Sequence, residues 1–245
     1  MLTKAHKIAH VTHSHTDCSD VWRIYFEQMS KYWNSGMQNI FLVNKTNLKI
    51  PSKYKKFEYL DSQSYSDRLI SCLSALEEYD YIFFDHEDMF LYSAPDFKEI
   101  NLYLDLLFED KYDYIRLIKS SNCKFKQIDK FKTLFEINLN SKWLFSIQPS
   151  FWNRLKLLNI IKQNKNCNGW ELEVKSQKVL KKLKIKSAFS HREGKKRGLY
   201  HFDNDIYPYI ATAIIKGKWN TSEYANELKD LFIEYKIDPL LRGNI

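Results

Sequence analysis

EYDYIFFDHEDMFLY, residues 78–92, combines a short apolar run with three carboxylates in four positions. The run Tyr81–Phe84 predicts a buried strand, and Asp85, Glu87 and Asp88 follow where that strand leaves the core. A carboxylate is costly to desolvate, so such a cluster usually faces a cation, a basic partner or water. Ligands of α/β sheets bind just beyond the carboxyl ends of the strands. The stretch therefore predicts a central strand and a site for Mg²⁺ or Mn²⁺, with a solvated acidic turn as the alternative.

The order of apolar runs predicts an α/β fold. Through the first half of the chain, these runs alternate with amphipathic helical patterns, which is typical of βαβ units and a parallel sheet. No repeat, low-complexity tract or linker divides the sequence, so we expect one domain over residues 1–245. The predicted strands are Ile8–Thr12, Ile40–Val43, Tyr81–Phe84 and Tyr114–Ile118.

Helical spacing and capping residues predict the positions of the helices. Ser19 or Asp20 is the expected N-cap of a first helix, whose inner face carries Trp22, Tyr25, Phe26 and Met29. The second helix is expected over 64–79 and the third near Phe97–Phe108. Later elements are expected to be a hairpin turning at Asn138–Ser141, helices over Phe151–Ile161 and Trp170–Leu183, a mobile loop over 190–198, and a helix capped by Thr221 or Ser222.

Composition describes a globular chain without a membrane-spanning segment. The 44% hydrophobic and 16% aromatic fractions exclude a disordered protein, and no apolar run approaches the ~20 residues that cross a bilayer. The first residues contain no long apolar segment typical of signal peptides, so we expect a cytoplasmic protein. Cysteines 18, 72, 123 and 167 are far apart and form no CxxC pair, which predicts reduced thiols.

The net charge of +8 is concentrated in residues 175–197, which hold ten lysines and arginines and one acid, Glu193. Such a segment suits the phosphates of a small ligand, an anionic membrane surface or nucleic acid, and a solvated helix face is the plainer interpretation. Phe189 is the one aromatic residue in the segment, whereas proteins that bind single strands stack bases on aromatic side chains. We therefore expect no nucleic-acid partner, and a non-catalytic nucleic-acid-binding protein is an alternative function that depends on this segment. Peripheral membrane contact through 175–197 also stays open.

The histidines of HVTHSHTDCSD, residues 10–20, allow a second metal hypothesis. The spelling HxHTxxSD resembles the metal-binding opening of phosphoesterases of the polymerase-and-histidinol-phosphatase type, and two histidines one residue apart can ligate one metal. That family has an Asp-x-His near its end, and this sequence contains none. A phosphoesterase of this type would use His13, His15, Glu87 and His191, with His201 and Asp203 as further candidate ligands.

Two acids near the start of a later helix are candidates for a general base. Glu171 and Glu173 fall in the first turn of a helix beginning near Trp170, where the helix dipole favours negative charge by ~0.3–1 kcal/mol. Alternatively, one of the two carboxylates projects into a pocket beside Trp170 and accepts a proton. In YPYIATAIIKGKW, residues 207–219, Gly217 permits close backbone approach and Lys218 can reach a phosphate.

Taken together, these stretches resemble bacterial and phage nucleotide-sugar glycosyltransferases with the A-type, Rossmann-like fold (GT-A). The resemblance covers most of residues 8–220, and the QPSFW…WELE pairing is its most specific part. It implies a single GT-A-like domain with a mostly parallel central sheet flanked by helices, a small β-hairpin and C-terminal helices. The nucleotide-binding half would be about 1–120 and the acceptor half about 121–245. The stretches that carry the resemblance are SDVW, KYW, SYSDRLISCLSAL, YIFFDHEDMFL, DYIRL, SIQPSFWNRLKLL, GWELE and YPYIATAIIKGKW.

The resemblance implies transfer of a sugar from a nucleotide-diphosphate donor to a hydroxyl of a glycan or similar acceptor, as in polysaccharide biosynthesis. UDP is the expected nucleotide because it is common in the wider fold. The usual metal motif is Asp-x-Asp and this chain reads Asp-His-Glu-Asp, so which of Asp85, Glu87 and Asp88 binds Mn²⁺ or Mg²⁺ stays open. The residues assigned to the nucleotide are Thr12, His13, Ser14, Asp67, Arg68, Asp85 and Lys218.

The chemistry of glycosyl transfer adds further roles. A divalent cation with Lys or Arg would stabilise the negative charge on the departing diphosphate. A carboxylate must take the proton of the acceptor hydroxyl; Glu173 is the first candidate and Glu171 the second, and a visible base favours inversion. Trp152 or Trp170 would stack on the acceptor sugar. The loop over 191–200 would be a lid, and the candidates for a cation that closes over the diphosphate are Lys195, Lys196, Arg197 or Lys218.

Overall fold

The computed structural model describes residues 7–245, and its centre is a mixed sheet of nine strands. The strands are β1 Ile8–His13, β2 Gln38–Asn44, β3 Tyr54–Tyr59, β4 Tyr81–His86, β5 Tyr114–Arg116, β6 Phe125–Ile128, β7 Phe131–Ile137, β8 Ser150–Asn153 and β9 Ser187–Ser190. Their order across the sheet is β3-β2-β1-β4-β8-β5-β9-β7-β6. The first four are parallel, and β8 is inserted antiparallel between β4 and β5.

Six α-helices cover both faces of this sheet. They are α1 Trp22–Tyr32, α2 Tyr65–Ala75, α3 Phe97–Phe108, α4 Arg154–Lys162, α5 Gly169–Leu183 and α6 Thr221–Tyr235. One apolar core includes residues of α1, α3 and α6, and the other includes residues of α2, α4 and α5. Short hairpins join β10 Lys196–Arg197 to β11 His201–Phe202, and β12 Ile214–Ile215 to β13 Lys218–Trp219. Within residues 7–245, no helix is long and apolar enough to span a bilayer.

The apolar spacing of α1 is confirmed, but the predicted caps of two helices are wrong. Trp22, Tyr25, Phe26 and Met29 are all buried in one core. The helix begins after Val21 and has no side-chain cap, because Asp20 forms an ion pair with Arg242 instead. In α6 the N-cap position belongs to Asn220, one residue before the predicted Thr221.

The predicted hairpin at Asn138–Ser141 is also wrong, since residues 142–148 form no strand. The backbone amides of Leu144 and Ile147 each donate over 2.6 Å, to the side chains of Gln177 and Glu173. Side chains of α5 thereby satisfy donors that a strand would have paired with a neighbouring strand. The hairpin lies one strand earlier, where β6 pairs antiparallel with β7.

The helix predicted to start at Phe151 begins three residues later. Its aromatic start, Phe151 and Trp152, belongs to β8, which pairs with β4 on one side and β5 on the other. Aromatic residues favour strands, and both of these side chains are buried there. Asn153 then caps α4 by accepting from the Lys156 amide at 3.1 Å.

The parallel pairing of β1 with β4 brings their carboxyl ends to one edge of the sheet, with His13 opposite His86. Because side chains alternate along a strand, Asp85 points to the face opposite His86. Asp85 is fully buried there, where it accepts from the Tyr25 hydroxyl at 3.0 Å and lies 3.0 Å from His10 Nε2. The structure therefore places Asp85 in a polar cluster of the core, away from the predicted metal and nucleotide roles.

We predict that Asp85→Ala destabilises the protein by about 3–5 kcal/mol, because it leaves buried polar partners without their acceptor. Urea unfolding followed by circular dichroism measures this change. The exposed acid Glu77 is the control, and Glu77→Ala should change stability by less than about 0.5 kcal/mol. Equal stability of the two variants would contradict a structural role for Asp85.

Candidate functional site

A cluster of metal-ligating side chains lies at the carboxyl end of β4. One ligand atom from each of His86, Glu87 and Asp88 lies within 4.8 Å of the other two, and no second group of this kind occurs within residues 7–245. A set of imidazole nitrogen and carboxylate oxygens suits Mn²⁺, and the oxygens suit Mg²⁺. The structure thus brings Glu87 and Asp88 together with His86 in the place predicted for Asp85.

Within residues 7–245, the two carboxylates of this cluster form no ion pair. Burial and the charge of Asp88 raise the pKa of Glu87, and burial raises the pKa of Asp88. The thiol of Cys18 donates to Glu87, and the Ile214 amide donates to Asp88 over 3.4 Å. The donor atoms and the absence of a close ion pair among the described residues therefore both fit a divalent cation.

Aromatic side chains surround the histidine of the cluster. His86 Nε2 lies 2.7 Å from the Tyr65 hydroxyl, and its ring centroid is 5.3 Å from that of His13. His13 stacks on Tyr59 at a centroid distance of 5.7 Å, and in the described chain its buried Nε2 has no hydrogen-bond partner. Burial lowers the pKa of His13 and lowers that of His86 to about 4. Both rings are therefore neutral at pH 7, and each can offer a nitrogen lone pair.

Two of the residues predicted to hold the nucleotide are committed to the core. The Thr12 hydroxyl lies 2.6 Å from the Tyr25 hydroxyl, and Ser14 Oγ accepts from Trp22 Nε1 at 2.7 Å. Both side chains are fully buried, so the structure turns them away from any ligand at the sheet edge. Of the three residues predicted on this turn, His13 is the one that contacts the β4 cluster.

The start of α2 contains the next predicted nucleotide residues. Asp67 accepts from the Ser64 hydroxyl at 2.6 Å, within the N-cap of the helix. The Arg68 guanidinium lies 4.2 Å from the centroid of the Tyr59 ring, and its charge contributes to lowering the pKa of His13. Arg68 therefore shares the surroundings of the cluster. The nucleotide contacts of Asp67 and Arg68 stay predictions.

A pocket of about 430 Å³ contains the predicted base. Glu173 lines this pocket and accepts from the Ile147 amide at 2.6 Å, and burial raises the pKa of its carboxyl. Trp170, at the pocket mouth, is 63% exposed, and its ring centroid is 5.9 Å from that of Trp143. The pocket thus combines a partly buried carboxylate with an exposed aromatic surface. Its lining also includes Ser146, Gln148, Tyr200, His201 and Thr212.

The second candidate base and the second candidate tryptophan have structural roles instead. Glu171 forms a capping box with Asn168, whose backbone N–H donates to the Glu171 carboxylate over 3.0 Å. Trp152 is 1% exposed and stacks on Tyr114 at a centroid distance of 3.8 Å. The structure therefore brings neither residue into the pocket.

The cluster and the pocket are adjacent. Thr212 and Ile215 line the pocket, and the backbone amide of Ile214, which lies between them, donates to Asp88. Burial and the charges of Glu173 and Glu87 raise the pKa of Tyr65, so this tyrosine lies within the electric fields of both sites. Tyr65 and the 212–215 segment therefore link the surroundings of the cluster to those of the pocket.

The C-terminal segment adds an arginine that the sequence did not predict. Arg242 forms an ion pair with Asp20 and donates to the Gly217 carbonyl at 3.1 Å. Its positive charge partly opposes the rise that burial causes in the pKa of Asp88. A lone arginine far along the chain carries no sequence signal of such proximity. Lys218 is exposed on the neighbouring hairpin, and its phosphate contact stays a prediction.

The predicted lid is anchored at its arginine. Arg197 forms ion pairs with Asp203 and Glu227, so its guanidinium is not available to close over a diphosphate. The prediction for Arg197 is therefore wrong. Lys195 and Lys196 are exposed on the same loop, and their role stays a prediction.

The histidine site of the phosphoesterase hypothesis does not form in the described chain. His15 lies 3.1 Å from an oxygen of Asp61, and Asp203 is paired with Arg197 at 2.8 Å. His191 packs against Phe202 with ring centroids 5.9 Å apart. Apart from Glu87, no residue of that hypothesis belongs to a group of three metal-ligating side chains within residues 7–245.

By sequence, no family model and no curated protein matches the chain. Among solved structures, it is similar to S. aureus TarS, with 12% identity and a TM-score of 0.51 over 96% of this chain and 41% of that one. A complex of S. aureus TarS 1–349 with UDP-GlcNAc is 14% identical, with a TM-score of 0.48 over 80% of this chain and 57% of that one. A 4-diphosphocytidyl-2C-methyl-D-erythritol synthase from Anaerococcus prevotii is 10% identical, with a TM-score of 0.45 over 76% and 88%.

The fold comparison relies on the first of these structures. The nine-stranded mixed sheet flanked by six helices confirms the GT-A-like α/β fold that the sequence predicts. The chain spans less than half of the length of the full TarS structure it matches. At this identity the similarity concerns the fold, and the activity is a separate question.

We predict that Mn²⁺ raises the melting temperature of the metal-free protein and that Asp88→Asn abolishes the shift. At a hundredfold excess over the dissociation constant, binding adds about 2.7 kcal/mol, which is roughly 5–10 °C for a chain of this size. Differential scanning fluorimetry measures the shift. Asp67→Asn is the matched control and should retain it, and an unchanged shift in Asp88→Asn would place the cation elsewhere.

Proposed function

We propose that this chain is a glycosyltransferase that moves a sugar from a nucleotide-diphosphate donor, a UDP-sugar first, to a hydroxyl of a glycan or similar acceptor. The observation that carries the proposal is the adjacency of the His86–Asp88 cluster and the Glu173 pocket at one edge of a GT-A-like sheet. A donor with its diphosphate at the cluster would present its sugar to the pocket. One site would then serve both substrates.

The donor side of the proposal rests on charge. His86, Glu87 and Asp88 would hold Mn²⁺ or Mg²⁺, which when bound would stabilise the negative charge that develops on the leaving diphosphate. Arg242, near Asp88, is placed to add positive charge on the same side. His13 and Arg68 lie next to the cluster, and we assign them to the nucleoside.

The acceptor side rests on the pocket. Sugar rings present apolar faces that pack on aromatic side chains, and Trp170 and Tyr200 both line the pocket and are exposed. Glu173 would accept the proton of the acceptor hydroxyl, whose pKa lies far above neutral pH. The Ile147 amide, which donates to this carboxylate, would fix its position.

In the proposed transfer, the acceptor oxygen forms a bond to the anomeric carbon of the donor sugar. The bond between that carbon and the diphosphate oxygen breaks, and its electron pair leaves with the nucleoside diphosphate. The acceptor proton passes to Glu173. Attack from the side opposite the leaving group would invert the anomeric configuration. We propose this outcome because a side chain of the protein, Glu173, is available as the base that takes the proton of the acceptor.

We predict that Glu173→Gln lowers the rate of transfer from a UDP-sugar by about 10²–10⁴-fold, since the amide cannot accept a proton. Release of UDP, measured with a panel of UDP-sugars and simple glycan acceptors, follows the reaction. Glu171→Gln is the matched control. Glutamine maintains a capping box, so this variant should keep near-normal activity.

The pH dependence gives a second measurement of the same residue. A base must be ionised, and burial raises the pKa of Glu173, so activity should fall as the pH drops through a value above the ordinary range of glutamate. The acid limb of kcat/KM should be absent from the residual activity of Glu173→Gln. Full activity in Glu173→Gln, or an unchanged acid limb, would remove Glu173 from the mechanism.

A further inference from the structure

The outer face of α5 concentrates exposed positive charge. Lys175, Lys178, Lys181 and Lys182 are all exposed on this helix, and Lys184 follows at its end. Within residues 7–245, none of these amines pairs with a carboxylate within 4.0 Å. The lysines therefore give this face a local positive charge, and in the described part of the chain no ion pair neutralises it.

Exposed apolar side chains share this face with the lysines. At about 100° per residue, the side chains of Trp170, Val174, Lys178, Lys181 and Lys182 leave the helix within an arc of about 120°. Trp170 is 63% exposed and Val174 is 46% exposed, and the opposite side of the helix is buried. The arc thus joins an exposed tryptophan and valine to a group of lysines. That combination is typical of a helix that lies on an anionic bilayer.

The rim of the neighbouring pocket extends the apolar part of the face. Tyr200 lines the pocket together with Trp170, and both Tyr200 and Leu199 are more than half exposed. Tryptophan and tyrosine are the side chains that prefer the headgroup region of a membrane, and lysines beside them attract anionic headgroups. Nucleic acid would need a series of aromatic platforms along the basic segment, and Phe189, its one aromatic residue, is fully buried.

We propose that the α5 face, defined as Trp170, Val174, Lys178, Lys181 and Lys182, docks the protein on an anionic lipid bilayer. Electrostatic attraction by the lysines brings the helix to the surface, and the two apolar side chains enter the headgroup region. Because Trp170 also lines the pocket, this contact holds the pocket mouth at the membrane surface. The proposal concerns a surface and does not depend on the chemistry of the site.

The test is sedimentation of the full chain with vesicles. We expect binding to vesicles of phosphatidylglycerol and phosphatidylcholine in equal parts, release of most protein as NaCl is raised, and no binding to phosphatidylcholine alone. The double variant Lys178→Glu with Lys182→Glu should bind at least roughly tenfold more weakly, given the attraction that each basic residue contributes near such a surface. Val174→Ser should reduce the fraction that stays bound at high salt.

A second double variant distinguishes the effect of the α5 face on vesicle binding from the effect of the net charge of the protein. Lys49→Glu with Lys55→Glu makes the same change in charge at exposed positions of another basic segment, and its binding should change less than about twofold. Equal losses in the two double variants, no binding to either vesicle, or tighter binding to single-stranded DNA than to anionic vesicles would each overturn the proposal. The Mn²⁺ melting shift, measured on the same variants, reports separately on the site at β4.

Discussion

The parallel pairing of β1 with β4 is the constraint on which the candidate site depends. Register sets His13 opposite His86, and the alternation of side chains then sends His86 toward Tyr65 and Asp85 toward Tyr25. A slip of one residue would exchange these two environments. Asp85 would then face the sheet edge, and a histidine would take its place in a core where the Tyr25 hydroxyl donates to the Asp85 carboxylate. The register of β1 and β4 thus determines that His86, and not Asp85, belongs to the candidate metal-binding cluster.

The close placement of Glu87 and Asp88 makes the stability of the fold depend on pH. The pKa of Glu87 and that of Asp88 are raised in the folded protein, so the folded state holds more protons than the unfolded chain between the ordinary and the raised pKa values. Stability contributed by these groups is therefore highest at low pH and declines as the pH rises through that window. When both carboxylates are ionised, they repel each other at a site where Glu87 is buried and Asp88 is partly buried. A cation bound between the two carboxylates would offset this repulsion.

Local sequence patterns predicted much of the fold but only part of the site. The strands around Tyr81–Phe84 and the inner face of α1 follow from periodicity, since burial of a sheet or helix face leaves a direct imprint on the sequence. The role of Tyr65 and Arg242 had no such imprint, because their positions depend on elements far apart in the chain. The prediction of a hairpin strand in the 142–148 segment is wrong for a related reason. Side chains of α5 replace its strand partners, and apolar spacing cannot indicate that.

In helix α5, the angular position around the helix axis gives two glutamates different surroundings. Glu171 and Glu173 are two residues apart, so they leave the helix about 200° from each other: one returns to the N-cap and the other enters the pocket. The same rotation leaves Trp170 and Lys178 on the outer arc while Leu172 is buried. Composition alone treats the two acids as equivalent candidates for a base. The backbone of one helix distinguishes them, and it also fixes how the pocket is oriented relative to the basic face.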